Sequence, residues 1–269
     1  IQTERFLQIT TNRVLVFNKS IRYQFKMAMR IFLMADNWVG WKITEYLAEQ
    51  KENIVGLAVH PTEQQHYTTE IIAASKLPMS KIIIGEKNIN EANISLIKEL
   101  KPDIILVIYW AFILPNHIYE IPPKGCINFH LAYLPFNRGK NPNVWAIIEG
   151  TPAGVTMHYI DSGIDTGPIL ARKQVDAEIV DTAKTLYAKQ LLACVELFME
   201  VWPKLKLNEL KPINQPIGEG TFHLAKKFSE IEEIKLENKI GPLELINILR
   251  AKTFDPYPPV YFIYEGKKV

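Results

Sequence analysis

The chain has 269 residues, 48% of them hydrophobic and 22% charged, and its net charge is +2. That suffices for one large domain, or a large domain with a small companion, around a buried core. The near-balanced charge gives no support for a nucleic-acid wrapper or a membrane-surface binder. No run approaches the roughly twenty apolar residues of a membrane span. Cys126 and Cys194 lack metal-ligand spacing and read as reduced packing residues of a cytoplasmic protein.

Residues 1–28 lack an initiating Met, set Arg5, Arg13, Lys19, Arg22 and Lys26 against Glu4 alone, and hold no apolar signal core. They read as a non-functional extension. From Arg30 to Ala35 a buried strand is expected, then a helix over Trp38 to Gln50 with Val39, Ile43, Tyr46 and Leu47 on one stripe. Asn53 to Val59 reads as a second strand, His60 to Gln65 as a polar loop, Glu70 to Ser75 as a helix and Lys81 to Ile84 as a short strand. Glu91 to Leu100 has helical spacing, closed by Pro102. Asp103 to Trp110 is apolar almost throughout, as a strand covered on both faces should be, and Cys126 to His130 is the next strand. Gly154 to Ile160 and Pro168 to Val175 are β structure around an aspartate-bearing loop. Asp181 to Trp202 is a long helix ended by Pro203, and Leu207 to Gln215 a linker. A small unit follows, with one helix over Gly241 to Lys252 and an aromatic tail that stops at Lys267-Lys268-Val269 as if in mid-strand, a truncated end.

Strands alternating with helices predict an α/β fold with a Rossmann-like, mostly parallel sheet over residues 29–206, and a small C-terminal α+β appendage over 207–269. The first turn, Ala35 to Trp41, lacks the Gly-x-Gly-x-x-Gly fingerprint, so NAD binding is not supported.

Chemistry concentrates in Cys126-Ile-Asn-Phe-His130 and in Asp161-Ser-Gly-Ile-Asp-Thr-Gly167. Side chains alternate along a strand, so Asn128 and His130 share one face while Ile127 and Phe129 pack on the other. By itself Asn-x-His fits a hydrogen-bonded core histidine. Here the strand opens into a polar, Pro- and Gly-bearing loop, where α/β folds place their sites, and a carboxylate loop returns nearby. A carboxamide, an imidazole and a carboxylate together suit acyl transfer: one donates to an oxyanion, one moves protons, one orients or charges the second.

Ile127-Asn-Phe-His130 with Leu134-Pro135, Arg138-Gly139, Pro142, Trp145-Ala-Ile147, Gly150-Thr-Pro-Ala-Gly-Val-Thr156 and Asp161 to Gly167 resembles, in order and spacing, the 10-formyltetrahydrofolate-dependent formyltransferases. The resemblance runs from about Met29 to the chain end. It implies a catalytic trio of Asn128, His130 and Asp165, with N10-formyltetrahydrofolate as co-substrate and no metal. It further implies folate binding by Trp110, Ala111, Phe112, Ile113 and Leu114 together with Tyr159, Ile160 and Asp161. Asn128 would donate to the tetrahedral oxyanion. His130 would stabilise that oxyanion or shuttle the amine proton, and Asp165 would hold the imidazole or take a proton itself.

The loop Leu134 to Trp145 and the ending Arg250 to Phe262 look most like the nucleotide-sugar N-formyltransferases, which implies a nucleoside-diphosphate amino sugar, a dTDP-linked 3- or 4-amino-dideoxyhexose, as acceptor. Arg138 and Lys140 are candidate pyrophosphate contacts, or a solvated loop. Asn143 suits sugar hydroxyls or a helix cap near Val144. Tyr257 suits base stacking or tail packing. His158 is weighed as a folate contact, His223 as a late contact or surface histidine, and His60, His66 and His117 as structural or solvent-facing. The expectation is a cytoplasmic homodimer with no nucleic-acid or membrane partner, feeding O-antigen or surface glycan. The competing readings are methionyl-tRNA formylation, formylfolate hydrolysis and a non-catalytic folate-binding module.

Overall fold

A computed structural model describes residues 28–61, 66–85, 89–216 and 218–269. Residues 1–27 of the expected extension and 62–65 of the expected polar loop lie outside the described residues.

The first half alternates strand and helix: β1 (Arg30–Ala35), α1 (Asn37–Glu49), β2 (Asn53–Val59), α2 (Thr68–Ser75), β3 (Ile82–Ile84), α3 (Glu91–Glu99) and β4 (Ile104–Ile108). α1 forms because Val39, Ile43 and Leu47 recur at helical spacing and are all fully buried. The Asn90 side chain caps α3 by accepting from the Asn93 amide at 2.9 Å. α4 (Asn116–Tyr119) leads to β5 (Cys126–His130), followed by β6 (Arg138–Gly139), α5 (Pro142–Glu149), β7 (Gly154–Tyr159) and β8 (Ile169–Gln174). α6 (Ala183–Lys206) starts with a Thr182–Thr185 capping box. Beyond it lie β9 (Phe222–His223), α7 (Ala225–Glu230), α8 (Pro242–Ala251) and a hairpin of β10 (Ile263–Tyr264) with β11 (Lys267–Lys268).

Seven strands form one sheet in the order β3-β2-β1-β4-β5-β7-β8. β1 to β5 run parallel, whereas β7 and β8 are antiparallel additions. The mostly parallel α/β sheet expected from the sequence is therefore present. β4 is buried at every position, as its unbroken apolar run requires.

Alternation gives the sheet two unlike faces. Ile104, Leu106, Ile127, Phe129, Val155 and Met157 join α1 and α6 in the larger core. On the opposite face Phe32, Met34, Ile105, Val107 and Cys126 continue the apolar surface. At β5 and β7 that second face turns polar, with Asn128, His130, Thr156 and His158.

Pro203 does not end α6, which runs on to Lys206. Trp202 and Leu205 on the last turn are buried, and Trp202 Nε1 donates to Glu52 at 2.9 Å while Lys206 pairs with the same carboxylate. That packing outweighs the single backbone bond that proline removes.

Candidate active site

Asp165 gathers the polar face of β5 and β7. His130 Nδ1 lies 3.7 Å from Asp165 Oδ2, and His158 Nε2 lies 3.5 Å from Oδ1. Asn128 Nδ2 donates to Asp165 Oδ1 at 3.4 Å and lies 3.2 Å from His158 Nε2. The Gly139 amide donates to Asp165 Oδ2 at 2.9 Å. Gly139 sits at φ +92, where a Cβ would run into the His223 carbonyl, so only glycine lets the backbone come this close.

Tautomers follow from the acceptors. His130 Nε2 is 2.9 Å from the Asn137 carbonyl, which can only accept, so Nε2 carries a hydrogen and Nδ1 is the exchangeable position facing Asp165. His158 Nδ1 donates to the Tyr159 carbonyl at 2.8 Å, which turns Nε2 toward Asn128 and Asp165. Burial alone would raise the Asp165 pKa. The His130 charge, the His158 hydrogen bond and charge, and the Gly139 amide overcome that and hold the carboxyl well below the usual carboxylate range.

Asp165 has φ +54, a left-handed conformation that Asp tolerates better than most residues. Gln215 holds the loop there by donating to the carbonyls of Asp165 and Gly167, both at 2.8 Å. Next to it, Ile213 bridges to Ile169 of β8. The segment expected to be a mere linker is thus part of the site's frame.

Asn128, His130 and Asp165 meet as the sequence suggested. His158, weighed only as a folate contact, stands directly opposite Asn128 in the antiparallel register. That register was the missing signal. Around the expected folate segment, a cavity of about 180 Å³ is lined by Ile89, Trp110, Phe112, Ile113, Leu114, Pro115, His117 and Ile118. Trp110, Leu114 and Ile160 pack in one cluster, whereas Tyr159 belongs to the larger core on the other face, against Gly125. Asp161 is occupied within its own loop, accepting from the Gly163 amide at 3.0 Å and the Thr166 hydroxyl at 2.6 Å. Ala111, between the lining residues Trp110 and Phe112, is exposed.

Among the expected acceptor contacts, Arg138 lies beside Phe222, its guanidinium 5.9 Å from the ring, with Nε buried and unpartnered. Lys140 is exposed. Tyr257 is 58% exposed and packs edge-on to Phe254. Asn143 is a correction on both counts: it is buried and donates to the Ala183 carbonyl at 3.0 Å, tying α5 to α6, and the capping position of α5 is Asn141. His223 is likewise no surface residue. It is 4% exposed and stacked on Trp145 at 4.1 Å. Among the described residues no group of His, Cys, Asp or Glu could hold a metal ion.

A carboxamide, two imidazoles and a largely buried carboxylate meet where β5 and β7 turn polar, a set of groups that suits acyl transfer. The chain belongs to the formyl transferase family, whose sequence pattern matches residues 44–202, and residues 227–269 match the N-formyltransferase dimerization C-terminal domain. It is 36% identical over 185 residues to the methionyl-tRNA formyltransferase of Thermodesulfovibrio yellowstonii, covering 68% of this chain and 58% of that protein. With the corresponding enzyme of Caldanaerobacter subterraneus the identity is 35%, over 64% of this chain and 54% of the other. The chain thus spans little more than half the length of these curated relatives. Among solved structures, a 4-N formyltransferase from Francisella tularensis is 27% identical with a TM-score of 0.75, covering 90% of this chain and 95% of the other. The formyltransferase PseJ from Anoxybacillus kamchatkensis, solved with UDP-4,6-dideoxy-4-formamido-L-AltNAc and tetrahydrofolate, is 26% identical with a TM-score of 0.56, over 75% of this chain and 88% of the other.

Proposed function

We propose that the protein transfers a formyl group from N10-formyltetrahydrofolate to the amine of a nucleotide-linked amino sugar, such as a dTDP-3- or 4-amino-dideoxyhexose. The observation that carries this reading is the convergence of Asn128, His130 and His158 on Asp165 in a chain of this family. The sugar acceptor is supported by the likeness to the 4-N formyltransferase, at a TM-score of 0.75 over 90% of this chain, and to PseJ, which was solved with a UDP-linked formamido sugar.

In this reading the amine attacks the formyl carbon directly. A new C–N bond forms, the bond to the folate nitrogen breaks, and one proton passes from the amine to that nitrogen. Asn128 donates to the developing oxyanion, the long 3.4 Å bond to Asp165 being the one that gives way. His130 exchanges the proton at Nδ1. A carboxylate held as far below its usual range as Asp165 is a poor base, which supports an orienting and charge-pairing role for it rather than proton abstraction.

The cavity beside Trp110 to Leu114 supports folate binding, because flat apolar and aromatic walls suit a bicyclic head. At about 180 Å³ it is below the ~300 Å³ of drug-sized sites, which leaves the glutamate tail outside. Arg138 and Lys140 are assigned to the pyrophosphate and Tyr257 to the base.

The reading includes a homodimer through residues 227–269, where Leu243, Ile246 and Leu249 of α8 stand 44–60% exposed. It places the protein in the cytoplasm, supplying O-antigen or another surface glycan. Burial pushes the Cys126 and Cys194 thiols up to about 12, which suits unreactive packing residues. No described helix is long and apolar enough to cross a membrane.

The test is tetrahydrofolate release from 10-formyltetrahydrofolate with a panel of dTDP- and UDP-linked amino sugars. Amine-dependent release with one sugar is expected. Release only with methionyl-tRNA, bound with a steep salt dependence, would replace the acceptor. Release without any amine would indicate a hydrolase.

A further inference from the structure

Asp36 follows β1, His60 follows β2, and Trp110 to Leu114 follow β4. In the sheet order β2-β1-β4 these three chain ends lie side by side. Asp36 is 5% exposed and His60 2%. The Asp36 amide donates to the Ile108 carbonyl at 3.1 Å, fixing the aspartate against the end of β4. Its carboxylate oxygen Oδ2 lies 3.2 Å from His60 Nδ1.

The far side of that ring faces the cavity loop. The Ala111 amide donates to His60 Nε2 at 3.0 Å. A backbone N–H can only donate, so Nε2 must offer its lone pair and the ring proton sits on Nδ1, toward Asp36. The imidazole also lies 4.5 Å from the Trp110 ring and 5.5 Å, edge-on, from Phe112. The indole also passes close to Gly85, where an added Cβ would come within 3.0 Å of it. One histidine therefore contacts two aromatic walls of the cavity and the backbone amide between them. The preceding residue, Tyr109, is in the left-handed region at φ +59, a backbone turn that needs such support.

We propose that Asp36 and His60 form a positioning pair that holds the Trp110–Leu114 segment in the shape that receives the folate head group. The proposal rests on the folate reading above. Neither residue touches the reacting atoms: Asp36 fixes the imidazole tautomer, and His60 fixes the loop. A core pair with only a packing role would affect stability without separating the two substrates. A positioning pair weakens folate specifically.

The experiment uses the full chain and two readouts. Amide hydrogen exchange over residues 109–115 reports on the loop without any ligand, and titration with 5-formyltetrahydrofolate reports on the cavity. For His60→Ala, faster exchange at Ala111 to Leu114 is expected. Folate affinity and the KM for 10-formyltetrahydrofolate should weaken about tenfold or more, with the acceptor KM and saturating kcat changed less than threefold. His60→Gln keeps an acceptor for the Ala111 amide and should recover part of both losses; it also serves if the alanine variant fails to fold. His66→Ala, on the outer side of the same carboxylate, should leave folate affinity within twofold. Wild-type exchange or wild-type folate affinity in folded His60→Ala would overturn the proposal, as would equal weakening toward folate and acceptor. If the loop loosens as expected but the wild-type protein binds no folate, the folate reading fails, and the role assigned to the pair fails with it.

Discussion

Two carboxylates in this molecule are each flanked by two histidines, and they are put to different uses. Asp36 faces His60 and His66, both at 3.2 Å; Asp165 faces His130 and His158, at 3.7 and 3.5 Å. Around Asp36 the inner ring is closed: His60 spends one nitrogen on the carboxylate and the other on a backbone amide. Around Asp165 the contacts are longer, a carboxamide is inserted, and His130 Nδ1 faces the carboxylate only at 3.7 Å. Resting catalytic contacts are often long and tighten only when substrate is bound. Composition therefore does not separate architecture from chemistry; what the second nitrogen meets does.

Removing the imidazoles should break the symmetry most clearly. His130→Ala is expected to lower turnover by about 10²–10⁴-fold with the fold preserved, the range for a lost proton-transfer group. Near-normal turnover in that variant, by tetrahydrofolate release, would dissolve the contrast. Asn128→Ala comes next, with about 10²–10³-fold expected for a lost oxyanion donor, and most of that loss in kcat. An effect confined to KM would instead make Asn128 a binding group. Arg138→Ala should move only the acceptor, raising its KM while the KM for formylfolate stays within twofold. An unchanged acceptor KM would return Arg138 to a solvated-loop role.

How far the sequence could be read follows from the range of each interaction. The meeting of Asn128 and His130 needs only the period of one strand, and the return of Asp165 needs only one loop, so both were legible. His158 required knowing that β7 runs antiparallel beside β5 and in which register. Asp36 and His60 required the non-sequential order β2-β1-β4, which no local pattern carries. Asn143 and His223 were misread for a similar reason: their partners, Ala183 and Trp145, lie 40 and 78 positions away in the chain, and polarity alone suggested a sugar contact or helix cap for the first and a late contact or surface position for the second. Pro203 shows the opposite failure, a strong local signal overruled by the packing of Trp202 and Leu205.

The smallest expected effect separates the two carboxylates by pH. Burial would raise the Asp36 pKa, but the hydrogen bonds its carboxylate accepts from the His60 ring and from the His66 backbone and side chain leave it lowered, as is that of Asp165. A carboxyl whose folded pKa lies below its unfolded value of about 3.9 stabilises the fold above that value, and this contribution fades as pH falls toward the folded pKa. The melting-temperature gap between wild type and either Asp36→Asn or Asp165→Asn should therefore be widest near neutrality and shrink below about pH 4. Activity should part them: at pH 7 and saturating folate, Asp36→Asn keeps a kcat within about threefold of wild type, while Asp165→Asn loses the charge opposite His130 and falls by at least tenfold. A gap that widened on acidification would contradict the lowered pKa of both groups. A kcat loss in Asp36→Asn as deep as that in Asp165→Asn would place both carboxylates in the chemistry and erase the distinction between them.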